Sequence, residues 1–201
     1  MDRPPDNDTE SAANGVCSTR RRTNAYLFAA AFLLLLVLCF AALDEMVVEV
    51  VQPLQHNALL MALAEVGQFL GNRLGSILLV ALVIILAWRR WKKAALIAVV
   101  ASLTQSAVVE LIKALTGRPR PIVVEEDGVS PGFYGLGFEG NSFPSGHATF
   151  AFTLATVAVA FFPRARVPIY AVAAFVAISR IMLDKHYLSD VTAGALLGYA
   201  I

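Results

Sequence analysis

The sequence predicts an all-α, polytopic membrane protein, and three observations predict it. Of 201 residues, 58% are hydrophobic and only 15% charged, against about a quarter charged in an ordinary soluble domain. The apolar residues gather in long runs that charge scarcely interrupts, and a helix needs ~20 such residues to cross a hydrocarbon core. Clusters of Arg, Lys and Trp bound those runs, as they do at the ends of spans. The net charge of +1 gives no reason to expect nucleic acid. Cys17 stands in a polar tail and Cys39 in an apolar run, with no C-x-x-C spacing. Neither a disulfide, a redox pair nor a zinc site is expected from them.

Residues 1–24 are rich in Asp, Asn, Ser, Thr and Pro and end in Arg20-Arg21-Arg22, which reads as a disordered tail with a basic membrane flank. The run 25–43 is too long for a signal peptide's apolar region and no cleavage site follows it. It is the first expected span, and it opens a domain that continues to residue 201. From Asp44 to Asn72 acidic and amide side chains alternate with leucines near helical spacing, so one or two interfacial amphipathic helices are expected there. The second span is expected at Leu74–Trp88, closed by Arg89-Arg90-Trp91-Lys92-Lys93, and the third at Ala94–Leu115. Gly117, Pro119 and Pro121 should stop that helix. Residues 118–146 read as a Gly/Pro-rich loop. The fourth and fifth spans are expected at His147–Phe162 and Val167–Leu183, and a sixth from His186 or Tyr187 to Ile201. The sixth is short for a ~20-residue span. Either it is tilted or the natural chain continues, and the second alternative is preferred.

Basic residues orient the whole. With a cytoplasmic N-terminus, the flanking clusters at 20–22, 89–93 and 164–166 fall on the cytoplasmic side. Three polar patches then share the extracytoplasmic side. They are Lys113 to Arg120-Pro121, Pro144-Ser145-Gly146-His147, and Ser179-Arg180 with His186 and Asp190. Charge at a membrane is costly enough to mark function, and converging cations suggest a phosphate. Lys113, Arg120 and Arg180 can neutralise phosphoryl oxygens, while the amides of Ser145 and Gly146 at a helix start can cradle them. His186 and Asp190, four apart, share a helical face. Asp190 can then orient one imidazole nitrogen and leave the other to attack phosphorus, and His147 can protonate the leaving oxygen.

These three patches match the K-x6-R-P, P-S-G-H and S-R-x5-H-x3-D motifs without departure, and by them the chain resembles the type-2 phosphatidic acid phosphatase superfamily of membrane lipid phosphatases. The resemblance implies a metal-independent hydrolase without cofactor, with His186 as nucleophile, Asp190 as its partner and His147 as acid/base. It implies phosphate binding by Lys113, Arg120, Ser145, Gly146 and Arg180. The expected enzyme is a multi-pass protein of the cell membrane, with its site extracytoplasmic and a lipid phosphate as its partner. Undecaprenyl pyrophosphate is the first choice of substrate, on size and topology alone. Phosphatidylglycerophosphate and phosphatidic acid come next, and a lipid-binding or transport protein with a dead pocket is a more remote alternative. The related soluble vanadate haloperoxidases lack such spans.

Other polar residues receive plainer readings. Arg118 is expected as an interfacial charge or headgroup contact, His56 as an interfacial histidine, and Glu125-Glu126-Asp127 as a solvated loop. Glu110 either pairs with a motif cation or finishes a polar helix end. Phe133, Tyr134, Phe138 and Phe143 either line a lipid entrance or anchor the loop in the headgroup layer.

Overall fold

The computed structural model describes residues 42–201 apart from Glu139, with isolated helical positions between 30 and 38. The tail at 1–24 and most of the first expected span at 25–43 lie outside the described residues. The described helices belong to a unit running from Phe40 to Ile201. In chain order they are α1 (Asp44–Val51), α2 (Ala58–Gly71), α3 (Arg73–Leu86), α4 (Trp91–Thr116), α5 (Pro121–Asp127), α6 (Gly146–Phe161), α7 (Arg166–Met182) and α8 (Leu188–Ala200). Among the described residues there is no sheet, only an isolated parallel bridge between Arg118 and Asn141.

Local chemistry sets the boundaries. Asn57 caps α2 by accepting from the amides of Leu59 and Leu60, and Asn72 caps α3 by accepting from Gly75. Such a side-chain acceptor satisfies one of the amides a helix start leaves open. Gly117 ends α4 in the left-handed region at φ 54°, a conformation other residues adopt only with strain. In the expected loop 118–146, α5 is an addition. α4 ends at Thr116, ahead of Gly117, Pro119 and Pro121, and Pro121 also occupies the first position of α5, where its missing N–H and fixed φ favour initiation.

Among the described residues, two stretches are long and apolar enough to cross a membrane, Trp88–Thr116 and Pro163–Met182. The helices at 58–71 and 74–86 meet such a test only as a pair, bent by 66°. α6 is apolar but shorter.

α6 is the hub, packing against α8, α7 and α4, while α2 packs against α7. The buried surfaces are rich in alanine: Ala148, Ala151, Ala155 and Ala158 on α6, Ala98 and Ala101 on α4, and Ala173 and Ala177 on α7. Small side chains let membrane helices approach closely. Gly194 and Gly198 carry this furthest on α8. A Cβ on Gly194 would lie 2.7 Å from the carbonyl oxygen of Ser145, and one on Gly198 2.2 Å from that of Thr149. The start of α6 is thereby clamped against the second half of α8, the Ser145 amide bonds the carbonyl of Asp190 in the first turn of α8, and the polar patches lie at that junction.

Candidate active site

Asp190 is the best-held side chain of the junction. It sits in the first turn of α8, fully buried. Its carboxylate accepts from the amide of Tyr187 at 2.9 Å, from the hydroxyl of Ser142 and from the guanidinium of Arg118. Its own carbonyl accepts from the amide of Ser145 at 3.0 Å. The third patch is thus tied to the second by a backbone hydrogen bond.

His186 lies in the turn before α8, buried, with Nδ1 at 3.6 Å from Asp190 Oδ2. That is too long for a hydrogen bond, and Nδ1 has no other partner among the described residues. Catalytic hydrogen bonds in ligand-free sites are commonly long and tighten around the substrate. Burial pushes the His186 imidazole below its ordinary range, Asp190 opposes this, and Arg180 and Arg120 add to the downward push. A neutral imidazole is the consequence.

Ser145 is the N-cap of α6. It is fully buried, its hydroxyl accepts from Ala148, and its carbonyl accepts from the hydroxyl of Thr149 at 2.9 Å. Gly146 opens the helix, and a Cβ there would sit 3.7 Å from Lys113 Nζ. The Lys113 ammonium therefore hangs over the amide end of α6, where the helix dipole also favours an anion. Lys113 is held at 3.2 Å by exposed Glu110, so of its two readings Glu110 takes the ion pair. His147 follows, half-buried, with its Cδ2 atom where a Cβ on Gly71 would lie, 2.4 Å away. Only glycine at 71 leaves room for that ring.

Arg180, in the last turn of α7, is buried and donates to Gln68 Oε1 at 2.8 Å. Its motif neighbour Ser179 bonds the carbonyl of Val176 and packs on Gly67. Arg120 caps the start of α5, half-buried, and lines a cavity of about 680 Å³ with Pro119, Asp127 and Asn141.

Three residues here escaped the sequence reading. Arg118 is not an interfacial charge: it is buried, bonded to Asp190, to Ser189 Oγ at 2.7 Å and to Asp44 Oδ2 at 2.7 Å. It stacks on Tyr187 at 4.1 Å and lies under Phe133 at 4.9 Å. A guanidinium suits this place because its planar fork serves several acceptors while its face meets an aromatic ring. Asp44, read as part of an interfacial segment, is buried and also accepts from the amide of Ser189 at 2.8 Å. Gln68 orients Arg180. Only the R-P-R-P run gave a local hint, because Arg118 lies two residues before a motif arginine.

These features define a class: a helical membrane protein with a buried His–Asp pair set against a helix N-terminus and ringed by cations. The PAP2 superfamily model matches residues 94–201, more than half of the chain, and the chain belongs to that superfamily. It is 37% identical over 92 residues to lipid A 1-phosphatases of Rhizobium etli and Rhizobium johnstonii, across 44% of this chain. The chain matches under two-fifths of the length of those curated relatives, 38% and 36%. Its fold is similar to the crystal structure of a transmembrane PAP2-type phosphatidylglycerolphosphate phosphatase from Bacillus subtilis. The TM-score is 0.57 at 21% identity, covering 83% of this chain and 89% of that one.

Proposed function

We propose that this chain is an integral-membrane lipid phosphatase that removes a terminal phosphate through a phosphohistidine. The observation that carries the reading is the joining of the His186–Asp190 pair to the amide end of α6, beneath the Lys113 ammonium. In this scheme Nε2 of His186 attacks phosphorus while Asp190 holds Nδ1. The bond from phosphorus to the leaving oxygen breaks, its electron pair stays on that oxygen, and His147 supplies the proton. Water then attacks the phosphohistidine, giving one proton to His147 and returning His186 to its neutral form. Lys113, Arg120, Arg180, the hydroxyl of Ser145 and the amide of Gly146 bind the phosphoryl oxygens, whose charge must be balanced throughout; the amide of Ser145, expected in that cradle, is instead given to the Asp190 carbonyl.

The wider reading is a domain of residues 25–201 with six spans, preceded by a cytoplasmic tail of 1–24, in the cell membrane with the site outside. The span-flanking basic clusters support it. Undecaprenyl pyrophosphate remains a candidate substrate beside phosphatidylglycerophosphate and phosphatidic acid, and the names of the relatives add lipid A 1-phosphate.

The test is phosphate release from these four lipids by detergent-purified protein in excess EDTA. Release from at least one is expected, together with inhibition by vanadate, which mimics the five-coordinate transition state. His186→Ala should fall to background. A His186→Ala protein with near wild-type turnover would sink the nucleophile assignment, and no release by the wild type from any of the four would count against the lipid phosphatase reading.

A further inference from the structure

A second feature lies beside the proposed site and takes no part in the chemistry above. Between α3, α4 and α6 runs a cleft of about 410 Å³, within the range of small-molecule sites. Its α4 wall carries Ser102, Gln105 and Ser106 in the middle of a membrane-crossing stretch, and Ser76 faces them from α3. Spacings of three and four residues put this polar stripe on one face of α4, in line with Glu110 and Lys113.

Of these side chains Gln105 is buried, Ser76 and Ser102 are half-buried and Ser106 is exposed; polar groups within a span are costly and mark ligand paths. The ordinary alternative is that they bind helices together. Gln105 does not: it is buried, yet Nε2 donates at 2.9 Å to Ser106 on the same helix. The cleft is lined at its upper end by Gly71 and Gly146. Those two glycines flank the His147 ring and the Lys113 ammonium. At 1.5 Å per residue, Ser106 lies about 10 Å and Ser102 about 16 Å along α4 from Lys113. The cleft thus leads from the group assigned to protonate the leaving oxygen down toward the bilayer interior, the course a leaving alcohol and its tails would follow.

We infer that this cleft binds the polar linker of the leaving alcohol, the hydroxyls and acyl carbonyls that join a phosphate to its hydrocarbon tails. The site would then select lipid phosphates built on glycerol or an acylated sugar over those built on a bare isoprenyl alcohol. The inference rests on the phosphatase reading and names its substrate class. It ranks a glycerol- or sugar-based lipid above an isoprenyl monophosphate, whose leaving alcohol has no further hydroxyl or carbonyl to offer these side chains.

The experiment is a ratio. For the full chain in detergent, kcat/KM is measured for phosphatidylglycerophosphate and for an isoprenyl monophosphate, on wild type, Gln105→Leu and Ser106→Val. Both substrates are read on one preparation, so a smaller folded fraction cancels. The wild type should prefer the glycerolipid, and each variant should lower that preference about tenfold, the loss of one hydrogen-bonding group. A wild type without preference, or a preference unmoved in both variants, would overturn the inference. Wild-type protein that releases no phosphate from any lipid would refute the phosphatase reading instead. The cleft would then be judged by binding of phosphatidylglycerol and of an isoprenol to wild type and Gln105→Leu. Tighter wild-type binding of phosphatidylglycerol, weakened by Gln105→Leu, supports the cleft, and equal affinities overturn it.

Discussion

Arg118 stands between two buried carboxylates, Asp190 and Asp44, and carries the guanidinium that both of them use. Removing it strands both charges in a place closed to water, and breaking a buried pair this way costs about 3–5 kcal/mol. Arg118→Leu should therefore lower the thermal unfolding midpoint in detergent steeply. Arg118→Lys, which keeps the charge but loses the fork and the stack on Tyr187, should fall between the two. An unchanged midpoint for Arg118→Leu would mean that the carboxylates find other partners. His186 yields a second expectation at the same scale. Attack requires the neutral imidazole, and burial holds its pKa below the ordinary value of 6.5. The acid limb of kcat/KM should therefore lie below pH 6.5, with activity lost as pH falls through that lowered pKa. A limb centred above 6.5 in a pH–rate profile would contradict the buried, neutral His186. These two residues also mark what the sequence could disclose. His186 and Asp190 are four apart on a face that helical geometry fixes, so their pairing was legible. Arg118 and Asp44 are 74 residues apart, and no periodicity or spacing announces a partner at that distance.

Elements were more legible than contacts, because helix ends are set by nearby residues. Asn72, Gly117 and Ser145 act within their own turn, and the expected spans at 74–88, 94–115, 147–162 and 167–183 differ from α3, α4, α6 and α7 by one to three residues at each end. α5 was missed because a proline can end one helix or begin another, and only the following residues decide. The spacing Gly194-x-x-x-Gly198 was present in the sequence as a packing signal, yet its partner helix was not. Its consequence is testable. On Gly198 a side chain would strike the carbonyl of Thr149, and on Gly194 that of Ser145. Backbone cannot yield as a flexible side chain does, so Gly198→Leu should cost at least about 1–3 kcal/mol of stability by overpacking. Gly194→Leu presses on the N-cap of α6 itself, so it should also lower kcat/KM in the protein that remains folded. A Gly194→Leu enzyme with wild-type kcat/KM would show that the clamp between α6 and α8 does not position the site.

At the scale of the whole molecule, the question is which side of the membrane the junction faces. A lipid phosphate can be reached only from the leaflet whose headgroups lie level with Lys113, Arg120 and Arg180. The bases that decide orientation are those in short loops and at span ends, here Arg89 and Arg90 before α4 with Lys92 and Lys93 in its first turn, and Arg164 before α7 with Arg166 at its start. The cations at the junction are weaker evidence, because the proposed phosphate binding and the Arg118 network would account for them. The clusters at 89–93 and 164–166 should therefore be cytoplasmic, which leaves the loop after α5 outside. Single cysteines at Lys93, Val129 and Ala165, introduced after Cys17→Ser and Cys39→Ala, would test this in intact cells with a membrane-impermeant maleimide. Val129→Cys, half-buried beside the exposed Ser130 in the loop after α5, should label without permeabilisation, and the other two only after it. The reverse pattern would turn the site to the cytoplasm and require its substrate in the inner leaflet. Such an enzyme would act on lipid phosphates as they are made, whereas the expected orientation has it act on those already carried across.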